Sequence, residues 1–78
     1  MKKIQILGTG CAKCNKLAQA AEQMAQELNI EYELEKVTDI QDIMKFNIMM
    51  TPGLVVDGQV MASGVIPSKA DLQKYLSD

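Results

Sequence analysis

The feature that most constrains this chain is a change of hydrophobic period at a glycine-rich corner. Lys3-Ile4-Gln5-Ile6-Leu7 is a β-branched, mostly alternating run, the period-two pattern of a strand, and it stops at Gly8-Thr9-Gly10. From Cys11 onward, Cys14, Leu17, Ala18, Ala21, Met24, Ala25 and Leu28 recur at three- and four-residue steps, with lysines and glutamines between them. That spacing predicts a long amphipathic helix fed directly by the strand through a tight loop. Both cysteines of the chain lie at this corner, as Cys11-Ala12-Lys13-Cys14.

The remaining elements follow from local signals. Asn29 can terminate the helix, and Ile30-Glu31-Tyr32-Glu33-Leu34-Glu35 alternates apolar with acidic residues, as a strand with one solvated face does. Thr38 and Gln41 have capping-box spacing ahead of Ile40, Ile43 and Met44, predicting a second helix to about Asn47. Leu54-Val55-Val56 and Gln59-Val60-Met61-Ala62 flank Asp57-Gly58, the signature of two strands joined by a type I′ turn. Ser68 can cap a last helix that carries Ala70, Leu72, Tyr75 and Leu76 on one side. The order β-α-β-α-β-β-α predicts an α/β, three-layer fold. It has a four-stranded mixed sheet with parallel first and second strands, the hairpin as antiparallel edge, and helices on both faces.

With 78 residues and no linker or repeat, one domain spanning 1–78 is expected. A domain of this size buries only about 60 to 65% of its unfolded surface, so its core is thin. A bridge between cysteines two residues apart ties no distant elements together, which makes a structural staple the wrong reading of the pair. A short reversible dithiol instead suits redox chemistry or soft-metal capture. The net charge of -2 and the absence of arginine leave no basic footprint for nucleic acid. No apolar run is long enough to span a bilayer, so no membrane partner is expected and a cytoplasmic location is. Charge is nonetheless uneven: Lys2, Lys3, Lys13 and Lys16 precede the first acid, Glu22, so the cysteines sit in the positive part of the chain.

A C-x-x-C pair at a strand-to-helix junction has a physical reason for its spacing. The first cysteine falls at the helix start, where unpaired backbone N–H groups and the positive end of the macrodipole favour a thiolate. The second lies one turn on, near enough to bond the first sulfur but on the apolar stripe of the helix. Cys11 is therefore the expected nucleophile and Cys14 the shielded resolving thiol. Lys13 can help keep Cys11 ionised, or it can point into solvent; the sequence leaves both open.

The whole chain resembles the compact archaeal and bacterial thioredoxin-like family often called redox-active disulfide protein 2, close to small glutaredoxins. The resemblance rests on Gly8-Thr9-Gly10-Cys11-Ala12-Lys13-Cys14, on Thr51-Pro52-Gly53-Leu54-Val55-Val56-Asp57-Gly58, and on Ser63-Gly64-Val65-Ile66-Pro67-Ser68. It implies a thioredoxin-like fold and a thiol-disulfide oxidoreductase that reduces protein disulfides. Its only redox group would be the Cys11-Cys14 disulfide, with no resident metal or other cofactor. It also implies a cis peptide at Thr51-Pro52 facing the dithiol, substrate binding along Thr51 and Pro52, and contributions from Gly10 and Gly64. Ordinary turn chemistry explains Gly64 equally well. Expected partners are disulfide-containing proteins and a disulfide reductase of unidentified type, with the chain a monomer.

Some features depart from the better-known relatives. No tryptophan precedes Cys11, no Gly-Pro separates the cysteines, and Gln5 stands where thioredoxins place a buried acid, so the proton route of Cys14 is unassigned. The segment after the last strand has none of the paired acids with which glutaredoxins meet glutathione. Met49 and Met50 can border the dithiol or fill the core. The rival function is a Cu(I)- or Zn(II)-binding carrier using the same two cysteines. Against it, Thr9 occupies the place where such modules commonly carry methionine, and their order is β-α-β-β-α-β.

Overall fold

The computed structural model describes residues 1–8, 12–48 and 50–77. Its elements are β1 (Lys2–Leu7), α1 (Ala12–Glu27), β2 (Tyr32–Val37), α2 (Ile40–Met44), β3 (Gly53–Val56), β4 (Gln59–Ser63) and α3 (Lys69–Leu76). The four strands form one sheet in the order β2-β1-β3-β4. β1 runs parallel to β2 and antiparallel to β3, and β4 closes the sheet antiparallel to β3. This is the expected α/β, thioredoxin-like arrangement.

Alternation along the strands sorts the core into two layers. Ile4, Ile6, Leu54 and Val56 face α1 and α3, where they meet Leu17, Ala18, Ala21, Met24, Ala25, Leu72 and Leu76. Leu7, Val37 and Val55 face the other way and pack under Ile43 of α2. β3 is buried at all four positions, as an interior strand covered on both faces must be.

The predicted helix and turn signals hold at three places. Asn29 adopts φ 56, and Ile30 N donates to Ala25 O (3.3 Å) while Asn29 N donates to Gln26 O (3.1 Å). Those two bonds are a Schellman cap on α1. Ser68 Oγ accepts from Asp71 N at 3.2 Å and caps α3. Asp57 and Gly58 have φ 51 and 85, the two positive values a type I′ turn requires.

Two boundaries differ from expectation. β2 begins at Tyr32 and continues to Val37, two residues beyond the predicted span. Ile30 is taken up by the α1 cap, and the parallel register carries pairing on to Ile6↔Lys36 and Leu7↔Val37. In α2 the cap is Asp39, not Thr38: Asp39 Oδ1 accepts from Gln41 N at 2.8 Å, and the helix ends at Met44 instead of near Asn47. Two adjacent residues compete for that cap, and a carboxylate is the stronger acceptor for a free N–H.

Candidate active site

The corner after β1 is built by close packing around a sulfur. Cys14 lies in the first turn of α1, and its i+3 and i+4 neighbours Leu17 and Ala18 carry the apolar stripe that turns its side chain inward, leaving it 4% exposed. Gly8, the residue after β1, lies beside it. A Cβ on Gly8 would collide with Cys14 Sγ, would stand 3.1 Å from Cys14 Cβ, and would come within 3.9 Å of Thr51 Cβ. The thiol therefore sits against bare backbone, with Thr51 on the same spot. Gly8 was foreseen only as a turn residue; its neighbour across the corner becomes visible once α1 is docked on the sheet.

The segment facing this corner is held from β4. The Thr51-Pro52 peptide is cis. Pro52 is fully buried and Thr51 is exposed. Gly64, at φ 77, donates its N–H to Pro52 O at 2.8 Å, extending the β3-β4 pairing by one more bond. The Gly64 Cα also closes on Met50, whose Cβ would lie 3.0 Å from any side chain added there. The glycine is needed twice, for its positive φ and for this approach. Met50 itself is 64% exposed, and Val65 and Ile66 are exposed in the loop that follows Gly64. The structure thus brings Cys14, Gly8, Thr51, Pro52, Gly64 and Met50 to one end of the sheet.

Other expectations fall elsewhere. Cys11, Gly10 and Met49 lie outside the described residues. Lys13 is exposed on the solvent side of the first helical turn. Gln5 is on the α2 face of the sheet, with its Nε2 donating to Glu35 Oε1 at 2.8 Å, so it points away from the face that α1 covers.

A small cleft of about 20 Å3 opens beside the thiol, lined by Ile6, Gly8, Cys14, Asn15, Lys36 and Thr38. Lys36 and Thr38 were not foreseen here. The alternation Ile30, Tyr32, Leu34 already puts position 36 on the α1 face by parity, but only a strand that ends two residues later carries it to the cysteine corner. A roomier groove of about 200 Å3 between α1 and α3, lined among others by Gln23, Glu27 and Lys69, contains none of these residues. Among the described residues no group of three or more His, Cys, Asp or Glu side chains converges as a metal site, and no helix is long and apolar enough to cross a membrane.

This arrangement is matched in known proteins. A thioredoxin-domain family model covers residues 2–77. The chain is 42% identical over 77 residues to a thioredoxin of Methanothermobacter thermautotrophicus, an alignment spanning 99% of this chain and 100% of that protein. It is 39% identical over 80 residues to a thioredoxin of Methanocaldococcus jannaschii, with 97% of this chain and 92% of that protein covered. With the sheet order, the buried cysteine at the head of α1 and near full-length identity in agreement, the chain belongs to the thioredoxin family, whose general chemistry is thiol-disulfide exchange.

Proposed function

We propose that the chain reduces protein disulfides through Cys11 as attacking thiolate and Cys14 as resolving thiol. The observation that carries this reading is the placement of Cys14, buried against the bare backbone of Gly8 with Thr51 beside it, three residues after Cys11 in the sequence. Cys11 directly precedes Ala12, the first helical residue, where free N–H groups and the helix macrodipole favour a thiolate.

In the cycle, Cys11 Sγ attacks one sulfur of a substrate disulfide, and the other sulfur leaves as a thiolate that takes up a proton. Cys14 then loses its proton and attacks Cys11 Sγ. The Cys11-Cys14 bond forms, the mixed disulfide breaks, and the second substrate sulfur leaves reduced. A separate disulfide reductase returns the pair to dithiol. Exposed Thr51, followed by buried Pro52, offers its backbone as a strand-like partner to the substrate chain, and exposed Met50, Val65 and Ile66 give it an apolar rim. Gly64 braces that rim, Gly10 shares in substrate binding, and Lys13 tunes Cys11. Such a reductant suits the cytoplasm, where thiols are kept reduced, and needs no metal or other cofactor. The metal-carrier alternative draws no support from the element order, which ends in α3 after a β3-β4 hairpin.

The test is a titration in dithiothreitol redox buffers with alkylation of the remaining thiols. Cys11 and Cys14 are expected to oxidise together as one two-electron couple, and Cys14→Ser is expected to stop at a stable mixed disulfide. Independent oxidation of the two, or full turnover by Cys14→Ser, overturns the proposal.

A further inference from the structure

Resting on the proposed disulfide exchange, the charge pattern of α1 names the kind of polypeptide the site accepts. Lys13 and Lys16 are exposed and stand three residues apart at the start of the helix, which has no acid in its first turn and no base in its last. The helix macrodipole favours the reverse, acids at the start and bases at the end, and two lysines at this spacing repel each other. No acid lies three or four positions from either lysine, and neither forms an ion pair with a described residue. Both charges are therefore placed against the local electrostatics of the helix.

The far end of the same helix row makes the contrast. Steps of three and four from Lys13 lead through Lys16, Ala20 and Gln23 to Glu27, a single row on the α1 surface. Its last three members line the groove against α3, and there the acid is neutralised, with Lys69 Nζ 3.4 Å from Glu27 Oε1. Among the described residues of this row, uncompensated charge remains only at the end next to the dithiol. Groups around the corner do not cancel it. Met50, Val65 and Ile66 are apolar, Asp39 Oδ1 accepts from Gln41 N, and Asp42 Oδ1 faces Lys45 Nζ at 3.4 Å.

We infer that Lys13 and Lys16 form a basic ridge that selects substrate polypeptides carrying Asp or Glu next to their disulfide. The substrate then meets two unlike borders, apolar side chains at Met50, Val65 and Ile66 and ammonium groups along the start of α1. The net charge of -2 does not oppose this: beyond a Debye length of about 10 Å at 0.1 M salt distant acids are screened, and the two lysines govern the approach. Complementarity of this kind acts on encounter rate and choice of partner, while the exchange itself stays among the sulfurs. Lys16 is the better probe of the two, because Lys13 stands between the cysteines in sequence and also bears on the ionisation of Cys11.

The test uses two synthetic peptides, each closed by one disulfide, with glutamates flanking the cysteines in one and lysines in the other. Each is reduced by an excess of the dithiol protein, and each rate is divided by that of the same peptide with dithiothreitol, which removes the intrinsic reactivity of the bond. The acidic peptide is expected to react roughly 5- to 10-fold faster at about 0.02 M salt, and the preference to fall below about 2-fold at 0.5 M. Lys16→Glu should abolish or invert the preference, and Lys16→Arg should keep it. Lys74→Glu makes the same change of net charge beside Lys2 and Asp57, away from the dithiol, and should leave the preference as in wild type. Lys16→Glu should unfold at no lower urea concentration than wild type, since it replaces a base with an acid near a helix start. Equal rates for the two peptides at low salt, a preference untouched by Lys16→Glu, or one lost equally in Lys74→Glu overturns the inference. If neither peptide is reduced, the dithiol chemistry fails first, and that result is distinct from a failure of the ridge.

Discussion

The two ends of the sheet solve opposite problems. At the hairpin end the chain satisfies itself: Asp57 N donates to Lys3 O at 2.8 Å, Lys3 N donates to Asp57 Oδ1 at 2.9 Å, and Lys2 Nζ approaches Asp57 Oδ2 at 3.8 Å. At the cysteine end the backbone is bared instead. Gly8 abuts a thiol, Gly64 abuts Met50, and Met50, Val65 and Ile66 stand in solvent. At one end the polar groups are paired within the chain, and at the other bare backbone and exposed apolar side chains are presented, which is what a site that must admit another polypeptide requires.

The largest effect expected from testing this contrast is at Gly8. Gly8→Ala drives a methyl into Cys14 Sγ and should destabilise by roughly 3 kcal/mol, the upper part of the range for overpacking. Urea unfolding measures it. Adding Cys14→Ala removes the sulfur and should restore much of the loss, giving a coupling of roughly 1 to 2 kcal/mol in a double-mutant cycle. Additive effects would mean that Gly8 and Cys14 do not meet. Gly58→Ala is the matching control at the far end. Nothing lies within 4 Å of its added Cβ, so only its φ of 85 opposes the change, at about 1 kcal/mol.

Next in size is Asp57. Asp57→Ala removes the acceptor of Lys3 N and the partner of Lys2, and should cost about 1 to 1.5 kcal/mol. Asp57→Asn keeps both the amide oxygen and the tolerance for positive φ, and should recover most of that. Both variants should exchange thiols at the wild-type rate, since the hairpin end takes no part in the reaction; a slowed rate would show that the ends are coupled.

The same contrast explains how much could be read in the sequence. The hairpin end was legible because Asp57-Gly58 is a local signal that any two strands would obey. The dithiol was legible because strand, glycines and helix meet within Ile6 to Cys14. Less visible was whatever depends on two distant segments touching: the pressure of Gly8 on Cys14, the isomer at Thr51-Pro52, and the reach of Lys36 to the cleft. The start of β2 is ambiguous in the sequence because Ile30 matches the strand alternation as well as the helix-capping contact it makes, and Asp39 takes the cap from Thr38 because its carboxylate is the stronger acceptor for a free N–H.

The smallest stability effect carries a sharp functional contrast. Met50, Val65 and Ile66 are 64%, 59% and 38% exposed, so single changes to serine should alter stability by no more than about 0.5 kcal/mol. If these side chains dock a protein substrate, Met50→Ser and Val65→Ser should raise KM for a protein disulfide several-fold while kcat and the rate with a small disulfide stay the same, because a small reagent reaches the sulfur without touching the rim. Steady-state kinetics on the two substrates separate the cases. Equal slowing with both would assign Met50 to packing against Gly64, where its Cβ already makes the tight contact, and would leave Val65 and Ile66 to form the apolar rim of the cysteine end.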